Sequence, residues 1–295
     1  MLRVLILSLC AAATLAQSNI LDVLNSRREH TLLDLIAAAG LNSTLAGPGP
    51  FTIFAPSEAA FRYYGSAKLN ALKSDPTQLA NFLKYHVVSG IVMSTDLMVN
   101  EKMLDSLAGT NIRVNYYMYN KHIAVEGARV TSSNIKASNG IIHIIDHVME
   151  APTGTIADII ASNSDFSTLK AAVDAAGLTS ALQDGPYTMF APNNAAFAAL
   201  GDDKVNALLA DPQLLKSILL YHVIHGTLYS TGMHSGNLHT LEQTDMERII
   251  ASYTSTRPIT IDGTAHSVTK DISATNGVIH VIDHVLIPSS LKSSV

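Results

Sequence analysis

The sequence predicts an α+β fold that is built twice along one chain. Long segments recur at a nearly constant spacing, and within each copy helical patterns come early while strand patterns come late. Hydrophobic residues make up 47% of the chain and charged residues 15%, a balance typical of chains that bury a core. We therefore expect two folded units of similar architecture.

Three pairs of matching segments carry the duplication. They are residues 51–56 with 187–192 and 85–87 with 221–223, each shifted by 136 residues, and residues 139–148 with 276–285, shifted by 137. This period is far longer than the ~20–50 residues of a solenoid repeat, so each copy is large enough to be a domain. The predicted division is a first domain over 17–150, a short linker over 151–154, a second domain over 155–290 and a tail over 291–295.

The elements of one copy follow in order. Apolar residues at helical spacing predict a helix over residues 32–37 that ends at Gly40. A strand over residues 51–54 should end before Pro56, as its counterpart should before Pro192, because proline cannot continue a paired strand.

Later elements are predicted from capping and turn residues. Asp75 and Asp211 each precede a proline, which favours a capped helix start. Residues 112–119 and 122–125 then form a hairpin around the turn at residues 120–121. The strand-rich second half of each copy completes the α+β pattern.

The N-terminus predicts export from the cell. Residues 1–16 combine an early arginine, an apolar run and small residues before Gln17, the pattern of a removed signal peptide. The only cysteine, Cys10, lies inside it, so the mature chain forms no disulfide. The net charge of −5 becomes about −6 once Arg3 is removed, which argues against nucleic acid as a partner. No other apolar stretch is long enough to make this an integral membrane protein.

Several of these segments resemble the hallmark motifs of the fasciclin domain. They are residues 52–61, the Tyr85-His86 pair and residues 139–147, with 188–197, Tyr221-His222, 276–284 and 285–288 in the second copy. The resemblance implies two tandem fasciclin-like domains, each a β-sandwich-like wedge with helices packed at one side. It also implies a secreted adhesion or matrix-scaffolding protein that binds matrix components or a cell-surface receptor, integrin-like receptors included.

The resemblance suggests where such partners would bind. Some family members bind integrins through Tyr-His segments, which nominates Tyr85 and Tyr221, and through an Asp-Ile pair, which nominates Asp271 and Ile272. The first copy has an asparagine, Asn134, in place of that aspartate. Alternatively, Asp271 is an ordinary loop acid and Ile272 turns into the core.

For several other side chains the sequence allows either a structural or a functional role. His86 and His222 follow apolar residues at helical spacing, and His143 and His280 lie in apolar strands, so all four are expected in the core. Tyr117 and Tyr119 share one face of their strand, which makes them a candidate contact surface unless they pack across the hairpin. Asn42 begins a glycosylation sequon.

The sequence also bears on two other classes of function, catalysis and ligand transport. We expect that the protein is not an enzyme and binds no cofactor, because the sequence has no nucleophile elbow, no phosphate-binding loop and no cysteine in the mature chain. We expect no metal at His143 and His147, which would stand about 13 Å apart on a strand. The alternative function is a carrier of a small ligand or metal that uses the second-copy histidines, His222, His225, His234 and His239.

Overall fold

The computed structural model describes residues 18–242, 248–253 and 258–292 of the chain. The predicted signal peptide and the end of the predicted tail lie outside these residues. Within them, each repeat forms its own seven-stranded sheet with helices packed against it, which confirms the α+β fold.

Both repeats place most of their helices before most of their strands. The helices of the described residues are α1 (Ile20–Ser26), α2 (His30–Ala38), α3 (Asn42–Ala46), α4 (Glu58–Tyr64), α5 (Ser66–Lys73), α6 (Pro76–Tyr85), α7 (Ile156–Ser162), α8 (Ser167–Ala175), α9 (Asn194–Leu200), α10 (Asp202–Ala210) and α11 (Pro212–Tyr221). The strands are β1 (Phe51–Pro56), β2 (Val87–Ser89), β3 (Lys102–Asp105), β4 (Asn111–Tyr117), β5 (His122–Val125), β6 (Ala128–Ala137), β7 (Gly140–Ile145), β8 (Tyr187–Pro192), β9 (Val223–His225), β10 (Gly236–His239), β11 (Arg248–Ser252), β12 (Thr260–Ile261), β13 (Ala265–Ala274) and β14 (Gly277–Ile282).

The two sheets have the same topology. The strand order is β2-β1-β7-β6-β5-β4-β3 in the first repeat and β9-β8-β14-β13-β12-β11-β10 in the second. The pairs β1–β7 and β8–β14, next to one edge of each sheet, are parallel, and the other strand pairs are antiparallel. An isolated bridge between Val88 and Ser106 joins the two ends of the first sheet, and one between Ile224 and Thr240 does so in the second. Each sheet is therefore curled into a wedge.

The wedge divides the interior of each repeat into two apolar cores. In the first repeat, one core lies between the helices and the parallel strands, and the other is enclosed by the curled sheet. The second repeat has the same two cores. None of these four clusters, which cover the described residues, takes side chains from both repeats. Each repeat thus buries an interior of its own.

The helix starts form as predicted, and the hairpin forms with a first strand that ends at Tyr117 instead of Tyr119. The Asp75 carboxylate accepts hydrogen bonds from two amides of the first turn of α6, both at 3.0 Å, and Asp211 does the same for α11. Strands β4 and β5 pair with Tyr117 opposite His122. Local sequence signals determined these features, because the groups involved lie close together along the chain.

The predicted strand ends at the prolines were wrong. Strand β1 includes Pro56 and β8 includes Pro192, both paired in parallel with the neighbouring strand. The amides of Phe51 and Ser57 donate toward β7, so with period two the nitrogen of Pro56 faces the other side. Strand β2 has already ended there, because it pairs only with residues 51–53. The missing N–H of Pro56 therefore leaves no acceptor unpaired.

Candidate functional site at the junction of the repeats

The two tyrosines of the Tyr-His segments are buried. Tyr85 is only 1% exposed and donates its hydroxyl to the Asn111 carbonyl at 3.2 Å. Tyr221 is also buried and donates to the Arg248 carbonyl at 3.1 Å. Burial raises the pKa of Tyr85. In this conformation neither side chain is accessible to a partner.

The histidines of those segments cap helices inside the core. His86 follows α6, its Nδ1 donates to the Phe82 carbonyl at 2.9 Å, and its Nε2 accepts from the Met149 amide at 3.1 Å. His222 makes the same two contacts after α11, at 2.7 and 2.9 Å. One nitrogen donates and the other accepts, so both rings are neutral. Burial lowers the pKa of each ring to about 4, although the carbonyl contact opposes the change.

The strand histidines are neutral as well, with the opposite tautomer. Nε2 of His143 donates to the Val92 carbonyl at 2.8 Å, and Nε2 of His280 donates to the Leu228 carbonyl at 2.9 Å. Burial lowers the pKa of both. The Asp271 carboxylate lies 3.9 Å from His280 Nδ1, but that nitrogen accepts the Asp271 amide at 3.3 Å, so the two side chains do not form an ion pair.

The Asp-Ile pair of the second repeat is engaged inside its own domain. The Asp271 carboxylate accepts the Ser230 amide at 2.7 Å and the Ser230 hydroxyl. In the first repeat Asn134 Oδ1 accepts the Ser94 amide at 2.9 Å, and Asn134 Nδ2 donates to the Ser94 hydroxyl at 2.7 Å. Ile272 packs against the helical core of its repeat. The aspartate and the asparagine thus do the same structural work.

Tyr117 faces the second repeat instead of solvent. Its hydroxyl donates to the Thr227 carbonyl at 3.2 Å and accepts the Tyr229 amide at 2.9 Å. Arg113 and Asn115 precede it at period two and also contact the second repeat. One face of β4 therefore forms a junction between the repeats.

The carboxylate of Glu101 is central to that junction. One oxygen accepts the amide and the hydroxyl of Thr227, both at 2.6 Å. The other forms an ion pair with Arg113 at 2.7 Å, and Arg113 also donates to the Thr275 carbonyl at 2.8 Å. The Arg113 side chain is buried, and its contacts are charge-assisted hydrogen bonds, which are stronger than neutral ones.

A second buried carboxylate joins the repeats through Tyr229. Glu126 accepts the Arg113 amide at 2.6 Å and the Tyr229 hydroxyl at 3.0 Å. The Ser273 hydroxyl lies 3.0 Å from the same tyrosine oxygen. Burial raises the pKa of Glu126, an effect that these hydrogen bonds oppose. Tyr229 is 0% exposed, although it belongs to neither apolar core of its own repeat.

Two glycines let the rings of the junction approach the opposite backbone. A Cβ atom on Gly232 would lie 2.4 Å from the Tyr117 ring, and one on Gly127 would lie 2.5 Å from the Tyr229 ring. Gly127 also has a φ of +79°, which favours glycine. Each repeat thus contributes one tyrosine and one glycine to a reciprocal contact.

Sequence reasoning missed most of this junction. Glu101, Arg113 and Glu126 carry no motif, and Tyr229 stands where the first repeat has Met93. The signal that could have revealed the junction is a polar or aromatic residue in one copy at a position where the other copy has an apolar residue. Such a difference can be interpreted only when it is known which surfaces of the two copies meet.

The turn after β4 leaves the second predicted tyrosine on the surface. Tyr119 is 76% exposed and stacks on His234 of the second repeat, with ring centroids 4.5 Å apart. Met118 is exposed beside it. The turn is held to the second repeat at the Thr231 carbonyl, which accepts Asn120 Nδ2 at 2.8 Å. We name Met118, Tyr119 and His234 the Tyr119 surface.

The other predicted positions are not gathered at this site. Asn42 begins α3 and is exposed. His222 is buried with both ring nitrogens engaged, whereas His234 stacks on Tyr119. In the described part of the chain, no group of three or more potential ligands could hold a metal ion. The structure therefore gives the carrier alternative no support.

Comparison with known proteins identifies both repeats. The fasciclin domain model matches residues 28–151 and 164–288. The chain belongs to the fasciclin domain family. Its two fasciclin domains meet at the junction described above, and no helix among their described residues is long and apolar enough to cross a membrane.

Relatives of known sequence share both fasciclin domains. Transforming growth factor-beta-induced protein ig-h3 of Sus scrofa is 37% identical over 256 residues, which cover 86% of this chain and 37% of the relative. Human periostin is 33% identical over 261 residues, which cover 86% of this chain and 30% of the relative. The chain therefore spans about a third of the length of these relatives. A solved FAS1 domain pair from the insect cell adhesion molecule fasciclin I has a TM-score of 0.44 and 21% identity, covering 90% of this chain and 95% of that one.

Proposed function

We propose that this protein is a secreted adhesion or matrix-scaffolding protein, without catalytic activity, that binds cell-surface or matrix partners through its fasciclin domains. Family membership supports this class of function. The observation that carries the proposal is the polar junction, because it holds two domains with separate cores in one relative orientation. A fixed pair can offer a partner a composite surface that neither domain has alone.

The Tyr119 surface is our candidate for the contact with a partner. Tyrosine and methionine are enriched in protein interfaces, and here they lie exposed at the tip of a hairpin. The surface draws Met118 and Tyr119 from one domain and His234 from the other. A partner that binds this surface would therefore recognise the two domains only in their packed arrangement.

A cell-attachment assay on protein lacking residues 1–16 tests the proposal. Surfaces coated with the Tyr119→Ala variant should lose most attachment, whereas the Tyr63→Ala variant should keep it. Tyr63 is a matched control, since it is 78% exposed but lies on α4. Equal attachment to both variants and to the parent would reject the Tyr119 surface, and no attachment to any of them would reject the adhesion proposal.

The same assay can separate a receptor role of Asp271 from its structural role. Asn134 shows that an asparagine can bind the serine amide and hydroxyl at this position. The Asp271→Asn variant should therefore fold and attach normally. If attachment falls although the variant folds, the carboxylate acts on a receptor, for example on a receptor-held metal ion.

A further inference from the structure

The junction joins two different faces of the same fold. The first domain contributes a hairpin face, which is built on β4 and β5 and includes Arg113. The second contributes a segment face, residues 227–232 after β9, which Arg113 reaches through the Glu101 carboxylate. Because the two domains share one topology, each has both faces. One hairpin face, on the second domain, and one segment face, on the first domain, therefore remain unused.

Hydrogen bonds at equivalent places identify the unused faces. Thr52 donates to the Gly90 carbonyl and Thr188 to the Gly226 carbonyl, both at 2.7 Å, so residues 91–96 correspond to residues 227–232. The Tyr85 and Tyr221 hydroxyls donate to the carbonyls of Asn111 and Arg248, so β4 corresponds to β11. Ile91 thus stands at the position of Thr227, and Ile250 at that of Arg113.

Both positions change from buried and polar to exposed and apolar. Thr227 is 3% exposed, whereas Ile91 is 48% exposed; Arg113 is 5% exposed, whereas Ile250 is 56% exposed. In the junction the side chains of Thr227 and Arg113 both bind the carboxylate of Glu101, so they lie close together. Two isoleucines at those positions would face the same part of an equivalent contact, where their burial is favourable.

From this correspondence we infer that a second copy of this chain docks head to tail on the first. The Ile91 face of one copy meets the Ile250 face of the next, in the orientation that the internal junction defines. Met98 and Val99 are also exposed apolar residues, and they follow Ile91 within eight residues of the chain. A contact between two different faces leaves one of each free, so it propagates into an open chain. This inference goes beyond the proposed adhesion role and does not depend on it.

Sedimentation velocity over a concentration series of protein lacking residues 1–16 tests the inference. The parent should shift to species larger than a dimer as the concentration rises, whereas Ile91→Glu and Ile250→Glu should each stay monomeric. Both side chains are exposed, so the variants should fold, which circular dichroism checks. Val268→Glu, a 60% exposed position on β13 outside both faces, should associate like the parent.

A mixture of the two variants tests the head-to-tail geometry itself. The Ile91→Glu copy keeps its Ile250 face and the Ile250→Glu copy keeps its Ile91 face, so an equimolar mixture should form a dimer and nothing larger. A monomeric parent at every soluble concentration would overturn the inference. So would association of either variant alone, loss of association in Val268→Glu, or a mixture that stays monomeric.

Discussion

Replacing Tyr229 by alanine should uncouple the two domains. The side chain is fully buried at the junction, and truncation of a buried aromatic residue costs about 3–5 kcal/mol. Loss of the hydroxyl also removes a donor from the buried Glu126 carboxylate, at a further cost of about 1–3 kcal/mol. The sum, roughly 4–8 kcal/mol, is comparable to the whole stability of a typical domain.

Calorimetry and urea unfolding measure this effect. Because Tyr229 belongs to neither core of its own domain, each core should survive, and one coupled transition should separate into two. Met93→Ala is the matched control, since Met93 is the counterpart of Tyr229 on the unused face and should cost far less. A Tyr229→Ala protein that unfolds in a single transition, with stability within about 0.5 kcal/mol of the parent, would refute this account of the junction.

Three further outcomes are expected. Asp271→Asn should change the free energy of unfolding by less than about 1 kcal/mol, whereas Asp271→Ala should lower it by about 1–3 kcal/mol because the Ser230 amide loses its acceptor. Urea unfolding of the two variants measures this difference. Unfolded histidine has a pKa near 6.5, whereas His86 and His222 have a pKa of about 4, so between these pH values protons bind the unfolded chain preferentially. Each of the two histidines should therefore remove about 2 kcal/mol of stability between pH 7 and pH 5. Unfolding curves that coincide at pH 7 and pH 5 would contradict this. Protein secreted from eukaryotic cells should lose mass on deglycosylation, and the Asn42→Gln variant should not.

Features set by neighbouring residues were predictable from the sequence. The caps at Asp75 and Asp211 and the β4–β5 hairpin need only groups a few residues apart. The strand ends failed at Pro56 and Pro192, because a missing N–H matters only where another strand would have bonded to it. That depends on where β2 and β9 stop, which is a long-range fact.

The prediction for Tyr117 and Tyr119 also depended on where a strand ends. Tyr117 and Tyr119 lie two residues apart in the sequence and were predicted to share a face. The structure places the half-buried Tyr117 in the junction and leaves Tyr119 exposed, since β4 ends at Tyr117 and the chain turns. The strand alternation on which the prediction relied does not extend past that residue.

By itself, the sequence determined that the chain repeats one α+β fasciclin domain, because conserved spacing and hydrophobic pattern are properties of the chain. Only the tertiary structure decided which faces of the two copies meet. Glu101 and Arg113 of the first domain bind residues of the second, and Tyr229 of the second binds the first, over more than 100 residues of sequence. The Asp271 carboxylate accepts a hydrogen bond from Ser230. Such contacts depend on how two complete domains pack together, and no local pattern encodes that geometry.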